Sequence, residues 1–116
     1  MGNKTFKINM INAKGEEVEE EFLFKSNGIT PFQYHRDLSA LASKHQNNSF
    51  ELTFAMAVMY FPKVIGTDRF KVEGLDDNLK FADVLEEFFI NDPMSLDELA
   101  GEVGFFLSPA LKNKLG

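Results

Sequence analysis

The groups with the widest chemical range in this chain are two histidines, His35 and His45, and no cysteine accompanies them. Both fall in a segment that is predicted to form one helix, where their spacing of ten residues corresponds to about 15 Å, nearly three turns. Two histidines that bind one metal ion from the same helix sit four residues apart, so this pair cannot share a metal. Because both border the apolar side of the helix, we interpret them as packing residues, with His45 also suited to the negative end of the helix dipole.

The hydroxyl and carboxylate groups do not form a recognisable active site either. Asp76 and Asp77 lack the glycine and the terminal glutamate of a calcium loop and are better placed to cap a helix. Glu86 and Glu87 lie on the charged side of a predicted helix, which is typical of a solvated face. The glycines form no phosphate-binding pattern. We therefore predict no catalytic residue, no metal ligand and no bound cofactor, and a chain that is not an enzyme.

The composition of the chain limits the classes of partner that it is expected to bind. The chain has 116 residues, which we interpret as a single domain over residues 1–116 with a hydrophobic content of 44%. Twelve basic residues face eighteen acidic ones, and the net charge of −6 argues against nucleic acid and against anionic membrane surfaces. No stretch approaches the roughly 20 apolar residues of a membrane span, and no signal peptide is recognisable at the N-terminus. These features predict a cytoplasmic protein that binds neither nucleic acid nor membrane.

The N-terminal part, residues 1–25, is predicted to be a β-hairpin. Apolar residues alternate with polar ones from Phe6 to Met10 and again from Val18 to Phe24. Between the two runs, the tract at residues 12–15 ends in a glycine that tolerates positive φ. The glutamates at positions 17, 19 and 21 fall on the other face. We interpret this face as solvated and protective against edge-to-edge pairing, with an acidic docking surface or a cation site as the alternative.

Residues 30–116 are predicted to form an array of four or five helices, which makes the fold class α+β. Thr30 followed by Pro31, and Asn48 three residues before Glu51, are typical helix starts. A third helix is predicted from Asp76 or Asp77 to Ile90, after a loop at residues 68–74 with a short extended piece at Phe70 and Val72. A fourth is predicted to open with a capping box at Ser95, and a last helical turn to follow Ser108-Pro109 with Leu111 and Leu115.

The segment from Phe50 to Phe61 satisfies two patterns at once. Its large residues alternate as they would in a strand, but the residues between them are also apolar. The cap before it, its length and its alanine and methionine content favour a helix that is apolar on most sides. Such a helix lies either at the centre of the domain or partly in an interface, and Pro62 and Gly66 are expected to end or kink it.

The chain has 13 phenylalanines and no tryptophan. Five of the phenylalanines, at positions 81, 88, 89, 105 and 106, fall in the last two predicted helices. The apolar face of the third helix spans roughly 160° at 100° per residue, which exceeds what one neighbouring element covers. Phe105 falls opposite the apolar stripe of the fourth helix if that helix continues so far, whereas a helix end at Gly104 would let Phe105 and Phe106 fold back onto the core. The predicted protein-interaction surface, which is also a predicted site of self-association, comprises Phe81, Val84, Phe88, Phe89, Phe105 and Phe106.

Taken together, the Lys4–Phe24 hairpin, the helix start at Thr30-Pro31 and the helix pair over residues 81–90 and 95–107 resemble the tail assembly chaperones of long-tailed bacteriophages and prophages. The resemblance is one of pattern over most of the chain and transfers no individual residue. It implies a non-enzymatic role in the bacterial cytoplasm: binding the tape measure protein, shielding its apolar helices and helping tail-tube subunits assemble. Two other classes remain open from the sequence: an adaptor that binds a single folded partner, and a small-ligand carrier or enzyme with a closed cavity among the phenylalanines.

Overall fold

The structure, a computed structural model, describes residues 3–66 and 78–111. It confirms the predicted α+β class, with a hairpin followed by helices. The elements are β1 (Lys4–Ile11), β2 (Glu17–Phe24), α1 (Pro31–Lys44), α2 (Ser49–Val64), α3 (Asn78–Phe88) and α4 (Pro93–Leu107), and helical backbone resumes at residues 109–111. The predicted loop at residues 68–74, the helix start at Asp76 or Asp77 and the place of Leu115 lie outside the described residues.

The hairpin has the predicted position and turn. β1 and β2 pair antiparallel, with Phe6 opposite Phe22 and Met10 opposite Val18. At the turn, Gly15 has a φ of +84°, which favours glycine, and its N–H donates to the carbonyl of Asn12. The side chains at positions 17, 19 and 21 are exposed, as the alternation predicts.

Two of the predicted helix starts are confirmed, and the predicted start of α4 is wrong. Thr30 and Asn48 cap α1 and α2 as predicted, each accepting a hydrogen bond from the backbone N–H three residues later. The predicted cap at Ser95 is wrong: α4 begins at Pro93, and Asp92 is its N-cap, accepting from the N–H of Ser95. Asp92-Pro93 is the same arrangement as Thr30-Pro31, an N-cap residue followed by proline. Proline suits the first helical position because the N–H that it lacks would have no partner within the helix.

The ambiguous segment is a helix. α2 covers Ser49–Val64, and the helix prediction for Phe50 to Phe61 is therefore confirmed. The helix does not stop at Pro62 but continues to Val64, and Ile65 caps it. Its second half is the buried part, which includes Tyr60, Phe61 and Val64, whereas Phe50 at its start remains 40% exposed.

One apolar core joins the hairpin to the helices, and α4 lies at its centre. α4 contacts β1, α1 and α2. Its residues Leu96, Leu99, Val103 and Leu107 are buried together with the inner face of the hairpin, namely Ile8, Met10, Phe22 and Phe24. Across the two described stretches of chain, no helix combines the length and the apolar character that crossing a membrane requires.

The crossing of α1 and α4 depends on a missing side chain. Gly104 is buried in α4, and a Cβ atom built there would lie 2.6 Å from the phenol oxygen of Tyr34 and 3.3 Å from its Cζ atom. Tyr34 is itself 7% exposed and packs edge-on against Tyr60 at 5.2 Å between ring centroids, so its rigid ring cannot simply turn aside. Gly101, one turn earlier, is exposed and has nothing within 4 Å of an added Cβ.

This contrast predicts opposite effects for two chemically identical substitutions. Gly104→Ala should lower the free energy of unfolding by about 1–2 kcal/mol, because overpacking outweighs the gain in helix propensity. Gly101→Ala should raise it by about 0.5–1 kcal/mol, since only the propensity changes. Urea unfolding followed by circular dichroism measures both.

Removing the offending hydroxyl provides the control. In the double variant Gly104→Ala, Tyr34→Phe the nearest ring atom is one that can be accommodated by a shift of a few tenths of an ångström. The double variant should therefore lose less stability than the two single losses added together. Strict additivity would contradict the proposed close contact.

Candidate protein-interaction surface

The structure places the six residues of the predicted interaction surface in different environments. Phe81 and Phe89 are buried in the core, at 9% and 3% exposure. Phe88 is half-buried, and its ring lies 6.4 Å from that of Phe22 on the hairpin and 4.8 Å from that of Phe89. The broad apolar face of α3 thus meets the hairpin within the chain, and α3 also contacts α2.

Of the remaining three residues, Phe105 and Phe106 lie near the end of α4, and Val84 lies on α3. α4 continues to Leu107 and is capped by Ser108, so the alternative in which the helix stops at Gly104 is wrong. Phe106 nevertheless packs on the core, with its ring 5.6 Å from that of Phe24. Val84 and Phe105 are half-buried. The role of these six residues in binding a partner stays a prediction.

A different set of side chains forms a concave apolar surface where α2, α3 and α4 meet. We call it the apolar groove. Its volume is about 320 Å³. The residues that line it are Phe50, Glu51, Phe54, Leu85, Glu86, Phe89, Ile90, Pro93 and Leu96.

The groove keeps large apolar groups in contact with solvent. Ile90 is 59% exposed and Phe50 is 40% exposed, and the rings of Phe50 and Phe54 stack at 6.4 Å between centroids. Met94, which follows Pro93 directly, is 79% exposed. Single exposed apolar residues are common, but two that line one concave surface, as Phe50 and Ile90 do, are typical of a binding site.

The turn of the hairpin holds the loop that forms one side of the groove. The side-chain amide of Asn91 donates to the carbonyls of Asn12 and Ala13 at 3.0 and 3.2 Å. The backbone N–H of Ile11 donates to a carboxylate oxygen of Asp92 at 3.0 Å. We call these three hydrogen bonds the hairpin clasp, and they join parts of the chain about 80 residues apart in sequence.

The clasp holds the groove in position because Asn91 and Asp92 lie in the chain between Ile90 and Pro93, which both line the groove. Asp92 also caps α4 through the N–H of Ser95 at 3.2 Å. Partial burial acts to raise the pKa of the Asp92 carboxyl group, but the hydrogen bonds from Ile11 and Ser95 outweigh it, so the pKa is lowered. The ionised carboxylate is thus the form that the folded chain stabilises.

A second cluster of polar and titratable side chains lies between α1 and α2, around Tyr34 and Tyr60. The hydroxyl of Tyr60 donates to Asp37 at 2.5 Å. Burial, reinforced by the nearby Asp37 carboxylate, raises the pKa of Tyr60, and burial raises that of Tyr34. Both phenols therefore remain protonated at neutral pH and are unsuited to act as bases.

One contact that sequence reasoning missed pairs an imidazole with a hydroxyl. His35 Nε2 lies 2.9 Å from Ser108 Oγ, although the residues are 73 positions apart. Ser108 is only 3% exposed and caps the C-terminus of α4, so its hydroxyl is poorly accessible to a substrate.

The second histidine, His45, is the C-cap of α1, consistent with the place predicted for it. Within residues 3–66 and 78–111, no group of three or more histidine, aspartate or glutamate side chains is arranged to hold a metal ion.

The lowered pKa of Asp92 predicts a pH-dependent contribution to stability. A carboxyl group whose pKa is lower in the folded state stabilises the fold above its unfolded pKa of about 4 and loses that effect as the pH falls through the folded value. Asparagine has one acceptor oxygen and cannot accept from both Ser95 and Ile11. Asp92→Asn should therefore lower the free energy of unfolding by about 1 kcal/mol at pH 7, and by clearly less at pH 2–3. Urea unfolding at both pH values measures the difference.

Asp97→Asn is the matched control, since it removes the same charge from an exposed position of the same helix. Its effect at pH 7 should stay within about 0.5 kcal/mol. A stability gap between wild type and Asp92→Asn that is equal at both pH values would contradict the role given to the ionised carboxylate.

Comparison with known proteins adds no assignment to this geometry: no protein-family model, no curated protein and no solved structure matches the chain. The features of the molecule that bear on its function are the apolar groove, the hairpin clasp and the net negative charge.

Proposed function

We propose that this chain is a non-enzymatic tail assembly chaperone, which holds apolar helical segments of a tape measure protein and assists the assembly of tail-tube subunits around it. The observation that carries the proposal is the apolar groove, where Phe50 at the start of α2 and Ile90 in the loop after α3 remain exposed. An amphipathic helix binds such a groove by inserting side chains one turn apart. The resemblance in sequence pattern points to the same role.

The groove suits a client whose sequence varies along its length. Aromatic rings such as Phe50 and Phe54 offer large contact areas to different apolar partners. The net charge of −6 helps a complex with an apolar client remain dispersed. We place this activity in the bacterial cytoplasm, where tails are assembled.

The alternative of a small-ligand carrier requires a closed cavity of useful size. The cavity between α1, α2 and α4, which is bordered by Tyr34, Met56 and Tyr60, has a volume of about 10 Å³. That is close to the minimum for one water molecule. Among the described residues, a larger ligand would have to bind at an open surface, either the apolar groove or the concave surface of about 600 Å³ that Met10, Val18 and Asp92 help to line. Open surfaces suit a protein side chain better than a small molecule that must be enclosed.

The groove predicts which exposed apolar residue matters. When the chain is co-expressed with a phage tape measure protein, sought as a long reading frame next to its gene, the wild type should keep that product soluble. Ile90→Asp should lose most of this effect, because a carboxylate cannot be desolvated cheaply against the client. Since Ile90 is 59% exposed in the free protein, the thermal midpoint of the variant should change little.

Phe32→Asp is the matched control, because Phe32 is 73% exposed but lies on α1, outside the groove. It should leave the client soluble. Equal loss in both variants would point to a general effect of charge, and full activity of Ile90→Asp would overturn the role of the groove.

We also propose that copies of the chain associate weakly with each other. The contact surface is the part of α4 around Phe105, which is half-buried and lies about 18 Å along the helix from Pro93, away from the groove. Half-buried aromatic rings at such positions gain contact area when a second copy covers them.

Phe105→Asp should therefore shift the protein toward monomer, with Phe32→Asp unchanged from wild type. Sedimentation equilibrium over a range of concentrations measures the effect, and the thermal midpoint of each variant shows that the fold is retained. A wild-type protein that stays monomeric at the highest concentration would contradict self-association.

A further inference from the structure

The charged residues of the apolar groove all carry the same sign among those that the structure describes. Glu51 lies in the first turn of α2 and Glu86 on α3, and both are exposed. No basic side chain of the described residues lines the groove. The groove is thus an apolar surface bordered by two carboxylates on opposite helices.

The size of the groove limits what enters it. A cavity of about 150 Å³ accommodates one benzene molecule, so about 320 Å³ has room for roughly two large side chains. On a helix, two side chains that point the same way are three or four residues apart. The flanking positions of such a helix then come close to the edges of the groove, where the two carboxylates lie.

We infer that the apolar groove binds a basic amphipathic helix, with two large apolar residues one turn apart and lysine or arginine beside them. The inference rests on the proposed function, since it specifies the chemistry of the client segment. Opposite charges at the edges of an interface speed association and reject partners of the wrong sign more than they add affinity. The net charge of −6 disfavours a second copy of this chain as the occupant.

Two synthetic helical peptides test this inference directly. Both are about 18 residues long with leucines at identical positions, and one carries lysine where the other carries glutamate. The basic peptide should bind about tenfold more tightly at low salt, and 1 M NaCl should remove most of that difference, because the edge charges are exposed and screened. Fluorescence anisotropy of labelled peptides measures both affinities.

The double variant Glu51→Gln, Glu86→Gln should reduce the preference to about twofold or less. Glutamine at position 51 keeps the capping pattern of α2, so the fold is preserved. The matched control Glu19→Gln, Glu98→Gln removes the same total charge from exposed positions outside the groove and should keep the preference.

Each remaining outcome overturns a different statement. Equal binding of both peptides, abolished by Ile90→Asp, would overturn the charge preference and leave the groove as a binding site. Binding of neither peptide would overturn the groove and the proposed function with it. If Ile90→Asp instead abolished self-association of the protein alone, a second copy would be the occupant and the inference would be wrong.

Discussion

The structure depends on the need to cover one face of a two-stranded sheet. A hairpin of this kind is marginal in water by itself, so the inner face of β1 and β2 must be buried against a helix. α4 is that helix, and it is tied to β1 at both ends: Ile11 donates to Asp92 at its start, and Lys4 pairs with Glu102 at 3.3 Å in its later part. These contacts make α4 run antiparallel to β1.

The two ties differ in strength for physical reasons. Lys4 is 44% exposed and Glu102 is 24% exposed in their side chains, so their ion pair is screened by solvent and contributes little. In the clasp at the other end, one partner of each hydrogen bond is a backbone group of fixed geometry, so only the short side chains of Asn91 and Asp92 are ordered. The register of hairpin and helix is therefore set mainly at the hairpin turn, and the apolar contacts between them supply most of the stability.

Local sequence signals predicted the elements well, because each depends on a few neighbouring residues. The alternation of the hairpin, the glycine of its turn and the caps at Thr30 and Asn48 act within four or five positions. The N-cap of α4 is wrongly predicted at Ser95, because the capping-box pattern there competes with Asp92-Pro93, which is the same local signal as Thr30-Pro31. The hydrogen bond from Ile11 also favours Asp92, and a contact between residues so far apart in sequence is not visible in any local pattern.

The same limit explains why the groove could not be predicted from the sequence. Helical periodicity correctly places Phe81 and Phe89 on the apolar face of α3, but it cannot tell a face that meets the hairpin from one that meets a partner. Ile90 follows the charged face of α3, and a single apolar residue at such a position does not by itself indicate a binding site. The sequence of α2 is a better indication of the groove, because this helix has more apolar residues than one buried face requires. Of its large apolar side chains, that of Phe50 remains exposed.

The clasp connects folding to binding in a way that neither element shows separately. Ile90 and Pro93 line the groove from a loop whose middle residues, Asn91 and Asp92, are bonded to the hairpin turn. A loop held at its centre by several hydrogen bonds loses little further entropy when a partner binds to its ends, and this preorganisation favours affinity. The hairpin therefore contributes to the groove without lining it, through the position in which its turn holds this loop.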